Sequence, residues 1–161
     1  MAFPGPRHER GIGLIEVMVA VAILAFGMLA IAALQATALR NSQSSLERSQ
    51  AVMKTYAILD AMRANRDVAM IGGYNLGNID GDGNVVDWAC DRPDAGDLAA
   101  NDRRQWIGAT GEEGSVKDTL GASACVAIRC SDNECIVGLQ WNDARGTGGD
   151  DEQALVTRTR L

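Results

Sequence analysis

Arg10-Gly11-Ile12-Gly13-Leu14-Ile15-Glu16-Val17 opens the stretch that decides the fold, which runs on as IGLIEVMVAVAILAFGMLAIAAL from Ile12 to Leu34. These 23 residues hold one charge, Glu16. At roughly 1.5 Å per residue a helix of that length spans about 35 Å, enough to cross a bilayer. The eleven residues before it, MAFPGPRHERG, are polar, and Pro4, Gly5 and Pro6 prevent a helix there. Arg7 and Arg10 outweigh Glu9 at this flank. That bias holds the N-terminus in the cytoplasm and sends the rest of the chain outward. A secretory signal peptide competes with this reading, because Ala36-Thr37-Ala38 has the form of a cleavage site. An ordinary signal core, however, is only about 7–15 residues long.

Glu16 fits neither a plain anchor nor a signal peptide. An acidic side chain costs roughly 2.5–3.5 kcal/mol near the centre of a membrane span and less near its end. A carboxylate kept in such a place is by default functional and calls for a partner. On the same helix Arg10 lies six residues back and Arg40 twenty-four residues on, both out of reach. A cut after Gly11 creates an α-ammonium at Ile12, one helical turn from Glu16. In an assembly of such subunits, the ammonium of a neighbour could pair with the carboxylate.

Residues 10–17 resemble the class III signal of type IV pilins and type II secretion pseudopilins: a short basic leader, a glycine, then L-I-E-V running into an apolar helix. Ile12 stands where phenylalanine is commonest, and Gly13 where Thr or Ser is usual. Neither departure touches Gly11 or Glu16. The resemblance implies cleavage between Gly11 and Ile12 by a prepilin peptidase, which also N-methylates Ile12. It implies that Glu16 registers each subunit against the next in a fibre. It further implies a single-pass inner-membrane protein with a periplasmic head, later incorporated in a cell-surface pilus.

Gln35 to about Arg66 lacks Gly and Pro and continues the helix. Leu39, Leu46, Met53, Tyr56, Leu59 and Met62 recur near helical spacing and predict one apolar side. Asn41, Gln43, Glu47, Arg48 and Gln50 are expected on the other. Of the 18 glycines, 14 fall from Gly72 onward, so a loop-rich head follows. Asp67 to Trp88 reads as a loop. Within it Asp80, Asp82 and Asn84 faintly resemble a calcium loop, but Val85 stands where that pattern needs glycine and Asp91 where it needs glutamate. Turn formation accounts for the same residues. Asp94 to Ile107 predicts a short helix with Asp94 as N-cap and Leu98 and Trp106 inward.

Ala124–Cys130 and Cys135–Trp141 predict a hairpin joined by Ser131-Asp132-Asn133-Glu134. Setting Cys130 opposite Cys135 places Ile128 against Val137, Val126 against Leu139 and Ala124 against Trp141, all on one face. That face should cover the helix, and Ala154–Leu161 should form a polar edge strand. Cys90, Cys125, Cys130 and Cys135 lie on the outward side of the span, where disulfides are expected, and four cysteines allow three connectivities. The register favours Cys130–Cys135 and Cys90–Cys125. Loop entropy makes these worth roughly 2 and 4 kcal/mol.

The fold class expected is therefore α+β. A cleaved leader (1–11) precedes a long helix with a transmembrane half (12–34) and an amphipathic half (35–66), packed on a small antiparallel head (67–161). Tyr56-Ala57-Ile58-Leu59-Asp60-Ala61-Met62-Arg63-Ala64-Asn65 and Trp141-Asn142-Asp143 with Arg145-Gly146 resemble minor pilins of the PilV modification type. That resemblance implies a structural subunit that helps pilus initiation, twitching motility and attachment, with other minor pilins and the major pilin as partners. A secretion pseudopilin and a membrane-tethered calcium-binding module are the alternatives. The single histidine, His8, lies in the leader, which excludes Ser-His-Asp and Cys-His catalysis and His-ligated zinc in the mature chain. No enzyme activity and no cofactor are expected. The net charge of −6 argues against a nucleic-acid partner.

Overall fold

The computed structural model describes residues 13–131 and 133–161. The architecture is α+β: a long apolar N-terminal helix and small antiparallel sheets. Helix α1 covers Leu14–Ala64, 51 residues. Proline is absent throughout this stretch, and its one glycine, Gly27, meets no neighbouring atom where a Cβ would stand. The described residues up to Leu39 and the span Arg40–Leu161 form separate compact units.

In the second unit the chain continues as α2 (Arg66–Met70), β1 (Asn78–Ile79), β2 (Val85–Asp87), α3 (Leu98–Ile107), α4 (Val116–Leu120), β3 (Cys125–Ser131), β4 (Glu134–Trp141) and β5 (Gln153–Arg160). The strands make a β1–β2 pair and a three-stranded antiparallel sheet in the order β3–β4–β5. Cys130 pairs with Cys135, Ile128 with Val137 and Val126 with Leu139, the register that side-chain alternation predicts. Ser131 and Glu134, expected in the connection, are themselves paired, and Ala124 falls just before β3. Disulfides join Cys90 to Cys125 and Cys130 to Cys135.

One sheet face carries Val126, Ile128, Val137, Leu139 and Trp141. It shares a buried core with Ala51, Ile58, Leu59 and Met62 of α1 and with Trp106, Ile107, Val116 and Leu120. Trp106 donates its indole N–H to the Lys54 carbonyl (2.8 Å), pinning α3 to the helix.

Several expectations are corrected. The inward residues of α1 are Glu47, Ala51, Thr55, Ile58, Leu59 and Met62. Leu39, Leu46, Met53 and Tyr56 are exposed, so the hydrophobic spacing marked the wrong side over most of its length. The side of α1 turned to the core therefore includes the small and polar positions Ala51, Thr55 and Glu47. Thr55 satisfies its hydroxyl by donating to the Ala51 carbonyl. The stretch 67–88 is not plain loop: α2, β1 and β2 lie in it, and Ile79, Val85 and Trp88 cover the second sheet face at Ala127 and Ile136. Gly138 packs closely there, since a Cβ would stand 3.1 Å from two ring atoms of Trp88. Asp97, not Asp94, caps α3, accepting from the Ala100 N–H (2.8 Å). This later start leaves Leu98 exposed, while Trp106 is buried as expected. The short α4, capped by Ser115 accepting from the Asp118 N–H, had no periodic signal to announce it.

Candidate functional site

The residues of the N-terminal motif divide at the start of the described chain. Gly11 and Ile12 lie outside it. Gly13 is its first residue, and the Gly13 carbonyl accepts from the N–H groups of Glu16 (2.9 Å) and Val17 (3.4 Å), closing the first turn of α1. Glu16 is the acidic residue of that turn and is exposed. A carboxylate there is favoured by the partial positive charge of the helix N-terminus. No described basic side chain pairs with it. Its neighbours Leu14, Ile15, Val17 and Met18 are all exposed apolar side chains. From Gly13 to Gln43 every residue is exposed. The helix is long and apolar enough to cross a membrane, and its apolar window has no buried residue.

Residues 6–32 match the family model described as the prokaryotic N-terminal methylation motif. No curated protein and no solved structure matches the chain. Gly11, Ile12 and Glu16 all fall within the matched span.

A second polar arrangement lies inside the unit Arg40–Leu161, where the connection between β4 and β5 is fastened to α1. Asp143 is 1% exposed. Its Oδ2 accepts from the Ser44 hydroxyl (2.7 Å) and from Arg48 Nη2 (3.4 Å). Arg145 Nη2 donates to Glu47 Oε1 (2.7 Å), and the Thr147 N–H donates to Asn41 Oδ1 (3.0 Å). Within the connection the Asp143 N–H donates to the Asp150 carbonyl (2.8 Å). Gly149 is needed beside it, because a Cβ would stand 1.9 Å from the Asp143 carbonyl oxygen. The Trp141-Asn142-Asp143 and Arg145-Gly146 residues thus serve as a clasp on one side of α1. Glu47, expected on the solvent side, is buried for this reason. The sequence held the signal in part: Asn41, Ser44, Glu47 and Arg48 are spaced three to four apart, on one helical side.

The calcium-like residues are arranged as a turn. Asp80 Oδ1 accepts from the N–H groups of Asp82 (3.0 Å) and Asn84 (2.8 Å), and Oδ2 accepts from the Asn84 side-chain amide (3.1 Å). These bonds, the Asn84 backbone N–H first, hold the Asp80 carboxyl below its ordinary acidity range. Asn84 therefore presents its nitrogen, not its oxygen, to Asp80. Among the described residues no group of three or more His, Cys, Asp or Glu side chains is placed to share a metal ion.

In the core of the same unit Tyr74, fully buried, donates its hydroxyl to Asp102 Oδ2 and accepts from the Asn65 amide. Burial, and then the Asp102 carboxylate, push the Tyr74 hydroxyl above its ordinary range. This pair ties α3 to the chain that follows α2.

Proposed function

We propose that this chain is a structural subunit of a type IV pilus, a minor pilin of the PilV modification type. Its parts are a leader (1–11) removed by prepilin peptidase, a membrane span (12–34), a stalk (35–66) and a head (67–161) stapled by disulfides. The enzyme cuts between Gly11 and Ile12 and methylates the Ile12 nitrogen. The subunit then waits in the inner membrane with its head in the periplasm until it enters a fibre with other minor pilins and the major pilin. There it supports pilus initiation, twitching motility and attachment. The observation that carries the pilin part of this reading is the R-G-x-x-L-I-E run of Arg10 to Glu16, heading a 51-residue helix and lying within the methylation-motif match; the stretches 56–65 and 141–146 support the PilV part.

Glu16 acts in assembly. An apolar replacement removes a costly charge from the span, so insertion is unharmed, while the partner for a neighbour's Ile12 ammonium is lost. The test is the ratio of the protein in sheared fibres to that in the inner membrane. Glu16→Leu and Glu16→Gln are expected to lower it strongly with membrane levels unchanged. Equal ratios for wild type and both variants overturn the role of Glu16. N-terminal sequencing of the mature protein is expected to begin at N-methylated Ile12, and a start at Leu39 overturns the pilin reading. A secretion pseudopilin carries the same signal; deletion that spares pili but stops enzyme secretion favours it.

A further inference from the structure

The two edges of the β3–β4–β5 sheet are finished differently. The outer edge of β3 is bonded at two places, where Leu76 exchanges both backbone bonds with Ile128 and Ala89 does so with Val126. The strand β5 is bonded to β4 alone; among the described residues its backbone makes no backbone bond on the other side, and only the Ala154 and Arg160 carbonyls accept from side chains, those of the adjacent Gln153 and Thr159 (3.3 Å each). On an antiparallel edge every second residue turns both its N–H and its C=O outward. Eight residues therefore leave about four such pairs without a backbone partner.

Proteins protect a free edge with short strands, bulges, proline or charges, and β5 carries two charges, Arg158 and Arg160, both on its outer face. Here β5 keeps an unbroken register over its whole length, from Gln153 opposite Trp141 to Arg160 opposite Glu134. It has no proline. Its helix-side residues are Gln153, Leu155, Thr157 and Thr159, none of them charged.

We propose that this edge accepts a further strand: an extended, antiparallel segment of another polypeptide, with a carboxylate opposite Arg160 and β-branched apolar residues opposite Val156 and Ala154. The outer face of β5 specifies that pattern. Val156 is 46% exposed, and Ala154 beside it is exposed too. The Arg158 guanidinium is committed to the Asp82 carbonyl (2.8 Å). Arg160 makes no ion pair among the described residues: Glu134, opposite it on β4, pairs with Arg158 instead (3.9 Å). A carboxylate on the incoming strand would give Arg160 a partner on its open side. A second copy of β5 fits poorly. With sheet faces matched, Ala154, Val156, Arg158 and Arg160 can meet only one another, so each guanidinium lies opposite an apolar side chain or another guanidinium. The proposal rests on the edge itself and stands apart from the pilus reading.

The test uses the full chain in detergent micelles, with amide hydrogen exchange read along β5. The probe is the acetylated, amidated peptide Glu-Thr-Thr-Thr-Val-Thr-Val-Thr, with a control that begins with Lys. The first peptide is expected to slow exchange of the outward β5 amides about tenfold. The control is expected to bind about two- to fivefold more weakly. Arg160→Glu should reverse that preference. Val156→Lys, on an exposed position, should abolish the protection without changing thermal unfolding. Absence of protection, equal binding of both peptides, or an unaffected Val156→Lys variant overturns the proposal. So does concentration-dependent protection of β5 without peptide, which would mean that a second copy occupies the edge.

Discussion

The two stretches of α1 follow different rules. From Leu14 to Gln43 no side chain is buried, although Leu, Ile, Val and Phe crowd the sequence. From Ser44 to Ala64 a narrow stripe is buried, and it includes Glu47 and Thr55 while Leu46, Met53 and Tyr56 stay exposed. Hydrophobicity in the first stretch describes the surroundings the helix needs, since a contiguous apolar surface of that size is not left in water by soluble proteins. In the second stretch the buried side is chosen by the sheet that lies on it and by the clasp at Asp143 and Arg145. The same backbone geometry thus draws its stability from two sources, its environment in one stretch and tertiary packing in the other.

The comparison breaks first at the proposed cleavage after Gly11. Gly11→Val is expected to block cleavage nearly completely, leaving a mature mass larger by residues 1–11, while the tryptophan fluorescence of the head stays native. Intact-mass measurement of the membrane protein checks this, and a leader removed at the wild-type rate contradicts it. Next in size is truncation of the stripe. Met62→Ala should destabilise the unit Arg40–Leu161 by about 2–5 kcal/mol. Leu24→Ala, in the other stretch, should leave its denaturation midpoint unchanged. If both shift the midpoint equally, the two stretches are not energetically separate.

Removing the clasp should have a smaller effect. Asp143→Ala strands the Ser44 hydroxyl and costs about 1.5–3 kcal/mol, the range for a bond to a buried charged group. Loss of the Cys130–Cys135 bridge should cost about 2 kcal/mol, less than loss of Cys90–Cys125 at about 4 kcal/mol, because the shorter loop restrains the unfolded chain less. Thermal unfolding of the two Cys→Ser pairs gives the order. The smallest effect concerns Asp80. Its carboxyl is more acidic when folded than when unfolded, so its contribution is present above its ordinary value of 3.8 and is lost as pH falls through the lower folded value. Asp80→Ala should flatten the acid limb of the stability profile slightly. Millimolar calcium should leave unfolding of the wild type unmoved, because the Asp80 oxygens already accept three bonds; a clear upward shift with calcium would restore the cation-loop reading.

Signals that depend on neighbours along the chain were legible in the sequence. The length of the apolar run, its lone Glu16, the basic flank before it and the absence of proline from Ile12 to Arg66 are one-dimensional properties, and a helix propagates by contacts four residues apart. The β3–β4 register was legible for the same reason: a short connection leaves few pairings, and alternation makes a one-residue slip expose every apolar side chain. What the tertiary structure alone decided were contacts between distant segments. Asp143 and Arg145 reach Ser44 and Glu47 from almost a hundred residues away, and that contact turns a charged position inward. Ile79, Val85 and Trp88 make a second apolar layer from residues whose Asp, Gly and Asn neighbours read only as turns. The helix periodicity was present, but it describes a cylinder with several candidate faces. Which face is buried depends on where the sheet sits, and no local energy in the sequence encodes that position.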